Sequence, residues 1–174
     1  MTKIKTTLVV ATMAIAMAGC AKKRPEVLPP APVSQGTGVD PNAGANTNPD
    51  GAIVPGSDAD FKRSVTSNTI HFGLDQYDID PKSRAILDSQ AQWLARYPNV
   101  RITIEGHCDE RGTREYNLAL GDRRANAAKN YLAARGVSPE RMNVISYGKE
   151  RPIALGSDEA SYAQNRRAVT IVLS

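Results

Sequence analysis

Beyond about residue 61 the apolar positions fall into two alternating periods. In "NTIHFGL", Ile70, Phe72 and Leu74 alternate with Thr69, His71 and Gly73, which predicts a half-buried strand. Asp80-Pro81 supplies an N-cap and a first-turn proline. Ile86, Leu87, Gln90, Leu94 and Tyr97 then recur on neighbouring turns of a helix that Pro98 stops. "VRITIEG" alternates again, with Val100, Ile102 and Ile104 inward. A second helix is predicted from about Thr113 to Arg135, with Gly136 just past its end. "RMNVISYG" and "RRAVTIVLS" read as the last two strands, separated by a polar stretch with room for a short helix. The order is β-α-β-α-β-β. Strands that alternate, instead of being apolar throughout, have one face covered. The expected fold is therefore α/β (α+β): a two-layer sandwich with a mixed four-stranded sheet and helices on one face, over residues 61–174.

Residues 21–60 show no such period. Twelve of these forty residues are Pro or Gly and none is aromatic, so the segment cannot bury enough apolar surface to offset its ordering entropy. A disordered linker is expected, with a mean reach on the order of 35 Å. Ahead of it, Lys3 and Lys5 precede an apolar run from Thr7 to Ala18, too short to span a bilayer and ending in small residues, as secretory signals do. Gly19-Cys20 follows directly and resembles a bacterial lipobox, with Met17 where leucine is usual. That resemblance implies cleavage after residue 19 and a diacylglycerol on Cys20. With residues 1–19 removed, the formal charge falls from +4 to +2, which is no nucleic-acid footprint. An acylated Cys20 leaves Cys108 without an internal disulfide partner.

The densest chemistry lies in "EGHCDERGTREYNLALGDRRANAAKNYL", residues 105–132. Asp109 falls just past a strand end, where loops commonly carry function. Asn117, Leu120 and Arg124 recur at i, i+3 and i+7, so one helix face carries the amide and the guanidinium together. A carboxylate beside a forked guanidinium complements an amino-acid centre that bears both an ammonium and a carboxylate. On these residues alone, an internal salt bridge between Asp109 and Arg124 is the preferred reading, since most charge pairs are structural or solvated. His107, Asp109 and Glu110 could be drafted as metal ligands, but consecutive residues on an extended segment alternate faces and do not converge. His107-Cys108 fails as a nucleophilic pair for the same reason. His107 is expected to be hydrogen-bonded and to frame the pocket, Cys108 to be small and buried, and Glu110 and Arg111 to be solvated or to touch the edge of a ligand. Gly121, inside a helix, suggests close packing.

"FGLDQYDI", the long central motif, "SYGKERP" and "NRRAVTIV" together resemble the OmpA-like peptidoglycan-binding domain over residues 66–173. With the lipobox and linker, the chain resembles the peptidoglycan-associated lipoproteins of Gram-negative bacteria. Cys108 departs from the family's usual Ala or Thr. The resemblance implies an outer-membrane lipoprotein, consistent with Ala21 after Cys20, that grips peptidoglycan noncovalently and belongs to the Tol-Pal system with TolB as a partner. It implies no catalytic residue, metal or cofactor. Carried over residue by residue, Asp109 takes the ammonium of meso-diaminopimelate in the stem peptide and Arg124 its carboxylate. Asn117 supports this pair, Arg166 closes the pocket, and Asp75 lines the other side. Competing readings are an envelope lipoprotein outside the Tol system and the targeting module of a murein-processing enzyme.

Overall fold

The computed structural model describes residues 52–173; the signal segment 1–19, Cys20 and most of the linker lie outside the described residues. Helical structure begins before Phe61. Helix α1 (Asp58–Ser64) is capped by Ser57, whose side chain accepts from the Asp60 N–H. Its one large apolar residue, Phe61, is fully buried and meets Trp93 edge-on at 4.9 Å. Asp60 accepts from Trp93 Nε1 at 3.2 Å and from the Gly56 N–H at 3.0 Å. Residues 57–60, assigned to the linker from composition, therefore belong to the folded unit.

The remaining elements are β1 (Thr69–His71), α2 (Pro81–Arg96), β2 (Arg101–His107), α3 (Arg114–Ala134), β3 (Met142–Gly148), α4 (Glu159–Asn165) and β4 (Arg167–Leu173). The polar stretch before the last strand does hold a short helix. Asp80 caps α2 by accepting from Ser83 N–H at 2.6 Å, with Pro81 in its first turn. At the other end, Arg141 donates to the carbonyls of Leu94 and Tyr97, satisfying acceptors that a helix terminus leaves open, and to that of Val100 in the loop beyond. Gly136, at φ 95°, closes α3.

The sheet order is β1-β4-β2-β3, with β4 antiparallel to both β1 and β2, and β2 parallel to β3. Ile102, Ile104 and Val172 point into a core shared with Leu87, Trp93, Leu94 and Leu132. Phe72 joins that core, but Leu74 does not: β1 ends at His71 and the Leu74 side chain is exposed. Two glycines set how closely α3 approaches the sheet. A Cβ on Gly106 would collide with the Gly121 carbonyl, and one on Gly121 would collide with Ser146 Oγ.

This topology gathers four chain segments at one end of the sheet. His107 at the end of β2 pairs with Gly148 at the end of β3. Ala168 near the start of β4 pairs with Gly106, and Arg167 pairs with His71 at the end of β1. The loops after β1 and β2, the start of α3 and the entry to β4 therefore converge there.

Candidate functional site

At that end lies a cavity of about 310 Å³, lined by Asp75, Cys108, Asp109, Arg111, Asn117, Arg124 and Arg166 among others. All five site residues predicted from the sequence meet here: Asp109, Arg124, Asn117, Asp75 and Arg166. Three guanidinium groups face two carboxylates, so the lining carries both signs of charge.

Arg124 is the most constrained of them. Its side chain is wholly buried, and its nitrogens donate to three backbone carbonyls: Gln76 at 2.8 Å, His107 at 2.9 Å and Gly73 at 3.0 Å. It thus joins α3, the end of β2 and the loop after β1. Burial lowers its pKa, yet a guanidinium stays protonated at any physiological pH. Five N–H groups less three bonds leave one N–H on each terminal nitrogen.

Asp109 does not pair with Arg124. It is held by Arg111, whose Nη2 and Nε donate at 2.6 and 3.2 Å and whose backbone N–H adds a bond at 3.1 Å. Arg166 Nη1 stands 3.4 Å from the same carboxylate. Burial pushes the Asp109 carboxyl up, but the Arg111 side chain and backbone, with Arg166, outweigh it and hold the group below the usual carboxylate range. Arg111, read from the sequence as solvated or peripheral, is therefore a principal partner of the central carboxylate. Only its spacing of two residues from Asp109 hints at this.

Arg166 is itself buried, donating to Phe72 O at 3.1 Å and to Glu159 at 2.7 Å. Asn117 spends its amide nitrogen on the loop, donating to Arg111 O at 2.7 Å and Thr113 O at 3.0 Å. Lys149 clamps the same loop from outside through Glu110 O and Gly112 O. Asp75 sits in a left-handed turn (φ 53°) and accepts from Tyr116 Oη at 3.3 Å across the cavity mouth. Tyr116 and Lys149 were not singled out from the sequence.

His107 departs from expectation. Its ring is buried but lies against Tyr147, with centroids 5.6 Å apart. Neither ring nitrogen has a hydrogen-bond partner; Nε2 comes within 3.5 Å of Glu105 without forming a bond. Its backbone carbonyl, not its ring, serves the cavity. Cys108 is buried as expected, its thiol donating to Asn117 O at 3.3 Å and its pKa raised chiefly by burial. Glu110 accepts from Tyr162 Oη at 2.9 Å. Among the described residues, no group of three His, Cys, Asp or Glu side chains is placed to hold a metal ion.

The OmpA family matches residues 71–166, the span that contains every residue of this cavity. The chain belongs to the OmpA family. It is 49% identical to a peptidoglycan-associated lipoprotein of Rhizobium meliloti, covering 95% of this chain and 86% of that one. It is 45% identical to a peptidoglycan-associated lipoprotein of Pseudomonas aeruginosa, over 90% of this chain and 92% of the other. The crystal structure of the peptidoglycan-associated lipoprotein from Burkholderia pseudomallei is 46% identical, with a TM-score of 0.60 over 62% of this chain and 91% of that chain. The C-terminal domain of Helicobacter pylori MotB shares only 21% identity at a TM-score of 0.57, covering 61% of this chain and 84% of that one, a likeness of fold alone.

Proposed function

We propose that this chain binds peptidoglycan noncovalently, and that the cavity receives the free amino-acid centre of meso-diaminopimelate in an uncrosslinked stem peptide. The observation that carries the reading is the placement of the Asp109 carboxylate and the fixed Arg124 guanidinium in one small cavity. An ammonium and a carboxylate on a single carbon are the complementary pair. Asp109 takes the ammonium, and the two remaining N–H groups of Arg124 face the carboxylate. Asn117 supports the arrangement by fixing the loop that carries Asp109, Arg166 closes one wall, and Asp75 bounds the other. The role is adhesive, with no catalytic residue or cofactor invoked. The relatives' names, peptidoglycan-associated lipoproteins, support the same reading.

The wider proposal rests on the sequence resemblance. Acylation of Cys20 anchors the chain in the outer membrane, the linker ahead of Ser57 spans toward the wall, and the domain faces the periplasm as part of the Tol-Pal system of envelope integrity and cell division, with TolB as a partner. Cosedimentation with purified sacculi tests the core of it. Wild-type protein is expected to pellet with diaminopimelate-containing sacculi, and Asp109→Ala to remain in the supernatant with its circular dichroism unchanged. Equal pelleting of the two proteins would place the binding site elsewhere.

A further inference from the structure

The Asp109 carboxylate is full. Two carboxylate oxygens offer about four acceptor positions. Oδ1 accepts from the Arg111 backbone N–H and from Arg111 Nε, while Oδ2 accepts from Arg111 Nη2 and lies within reach of Arg166 Nη1. A ligand ammonium has no vacant place on this group unless a donor leaves.

The four donors are not equally free to leave. The Arg111 backbone N–H is fixed by the turn. Arg166 is buried and tied to Phe72 O and Glu159 by its other nitrogens. The Arg111 side chain is 39% exposed, whereas Arg124 and Arg166 are buried, and among the described residues its guanidinium nitrogens meet only the Asp109 and Glu159 carboxylates, with no backbone carbonyl holding them. A second resting place already adjoins it. Its Nη1 is 3.7 Å from Glu159 Oε2, and its guanidinium carbon lies 4.2 Å from the centre of the Tyr162 ring.

We propose that the Arg111 side chain is an exchangeable internal cation, occupying on Asp109 the place of the ligand's ammonium and moving onto Glu159 and Tyr162 when that ammonium arrives. The proposal rests on the reading of the cavity given above. It makes Arg111 a specificity-determining residue. In the empty site it keeps a buried carboxylate paired, so that no uncompensated charge is left in the dry wall. Only a ligand that brings its own cation can replace what it displaces. A ligand lacking the ammonium leaves Arg111 in place and meets a carboxylate already satisfied.

The test is calorimetry of full-length wild-type and Arg111→Gln protein with two soluble probes. One is the L-Ala-γ-D-Glu-meso-diaminopimelate tripeptide, and the other is the same tripeptide without the ammonium on the free amino-acid centre. A displaced, partly exposed ion pair is a modest competitor, so Arg111→Gln should bind the first probe about two- to fivefold more tightly. The second probe should gain nothing. Arg111→Lys, which keeps the charge but loses the fork, should fall between glutamine and wild type. Weaker or unchanged binding of the first probe by Arg111→Gln, with the wild type binding normally, would overturn the exchange and leave the site assignment standing. A gain of equal size for both probes would also overturn it, because relief would then be independent of the ammonium. Failure of the wild type to bind the first probe would refute the site reading and this inference with it.

Discussion

Arg124, midway along α3, donates from Nη1 to the His107 carbonyl at the end of β2 across 2.9 Å of dry interior. The bond is one of three that tie the helix to the strand end and to the loop after β1, so the residue expected to meet the ligand also builds the cavity. Arg124→Ala strands three carbonyls and should lower stability by about 2–5 kcal/mol in urea denaturation, in addition to losing binding. Arg124→Lys should recover only part of this, since one ammonium cannot span three acceptors. An alanine variant within about 0.5 kcal/mol of wild type would show that these bonds contribute nothing net.

The contact between Gly106 and Gly121 makes a prediction against helix propensity. Alanine favours a helix interior by about 1 kcal/mol over glycine. At Gly121, however, the added Cβ meets Ser146 Oγ and lies 3.0 Å from Gly106 O. Gly121→Ala should therefore destabilise by about 1–3 kcal/mol, and Gly106→Ala by more, because there the obstacle is rigid backbone. Thermal melts read both. A stabilised Gly121→Ala would contradict the packing described.

Acid titration should reveal the pairing of Asp109. Its carboxyl is held below the usual range, so the stability it adds is fully present above the unfolded value of about 3.9 and is lost as pH falls through the lower folded value. Ligand affinity should accordingly hold down to about pH 4 and fall only below it. Arg111→Gln removes the strongest lowering contacts and should shift that fall to higher pH. Carbon-13 detection of the Asp109 carboxyl follows the group directly. A wild-type transition near pH 6 would contradict the assignment.

Much of this architecture was legible in local pattern. Ile102 and Ile104 alternate and are both fully buried, and Asp80-Pro81 caps α2 as its residue types require. Asp109, Asn117 and Arg124 reach one cavity because helical spacing and a strand end place them there. Where the pattern failed, the causes are physical. Helix α1 is short and carries one core side chain, Phe61, so no period could form, and its buried Asp58 and Asp60 look like surface residues in composition. Leu74 continues the alternation of β1 beyond the point where the backbone turns, with Asp75 at positive φ. The insertion of β4 between β1 and β2 arises from tertiary placement that no local spacing encodes. The pairing of Asp109 with Arg111, only two residues on, depends on how their shared loop turns, which the residue types alone do not fix.

The anchor is tested by fractionation. Cys20→Ser is expected to yield an unacylated chain that leaves the membrane fraction on stringent washing. Retention equal to wild type without acyl label would rule out the lipobox assignment.

The most direct measurement of the central claim is calorimetric titration of the protein with matched stem peptides that differ only in the third residue. Meso-diaminopimelate presents an ammonium and a carboxylate at its free end, whereas lysine presents the ammonium alone. Binding lysine leaves the buried Arg124 without its anion, at a cost of about 1–3 kcal/mol, or roughly tenfold to a few hundredfold in affinity. Amidating the same carboxylate should weaken binding similarly while nearly preserving its shape. The account predicts clear preference for the diaminopimelate peptide. Equal affinity for the diaminopimelate and lysine forms would contradict it, even if the protein still bound the cell wall.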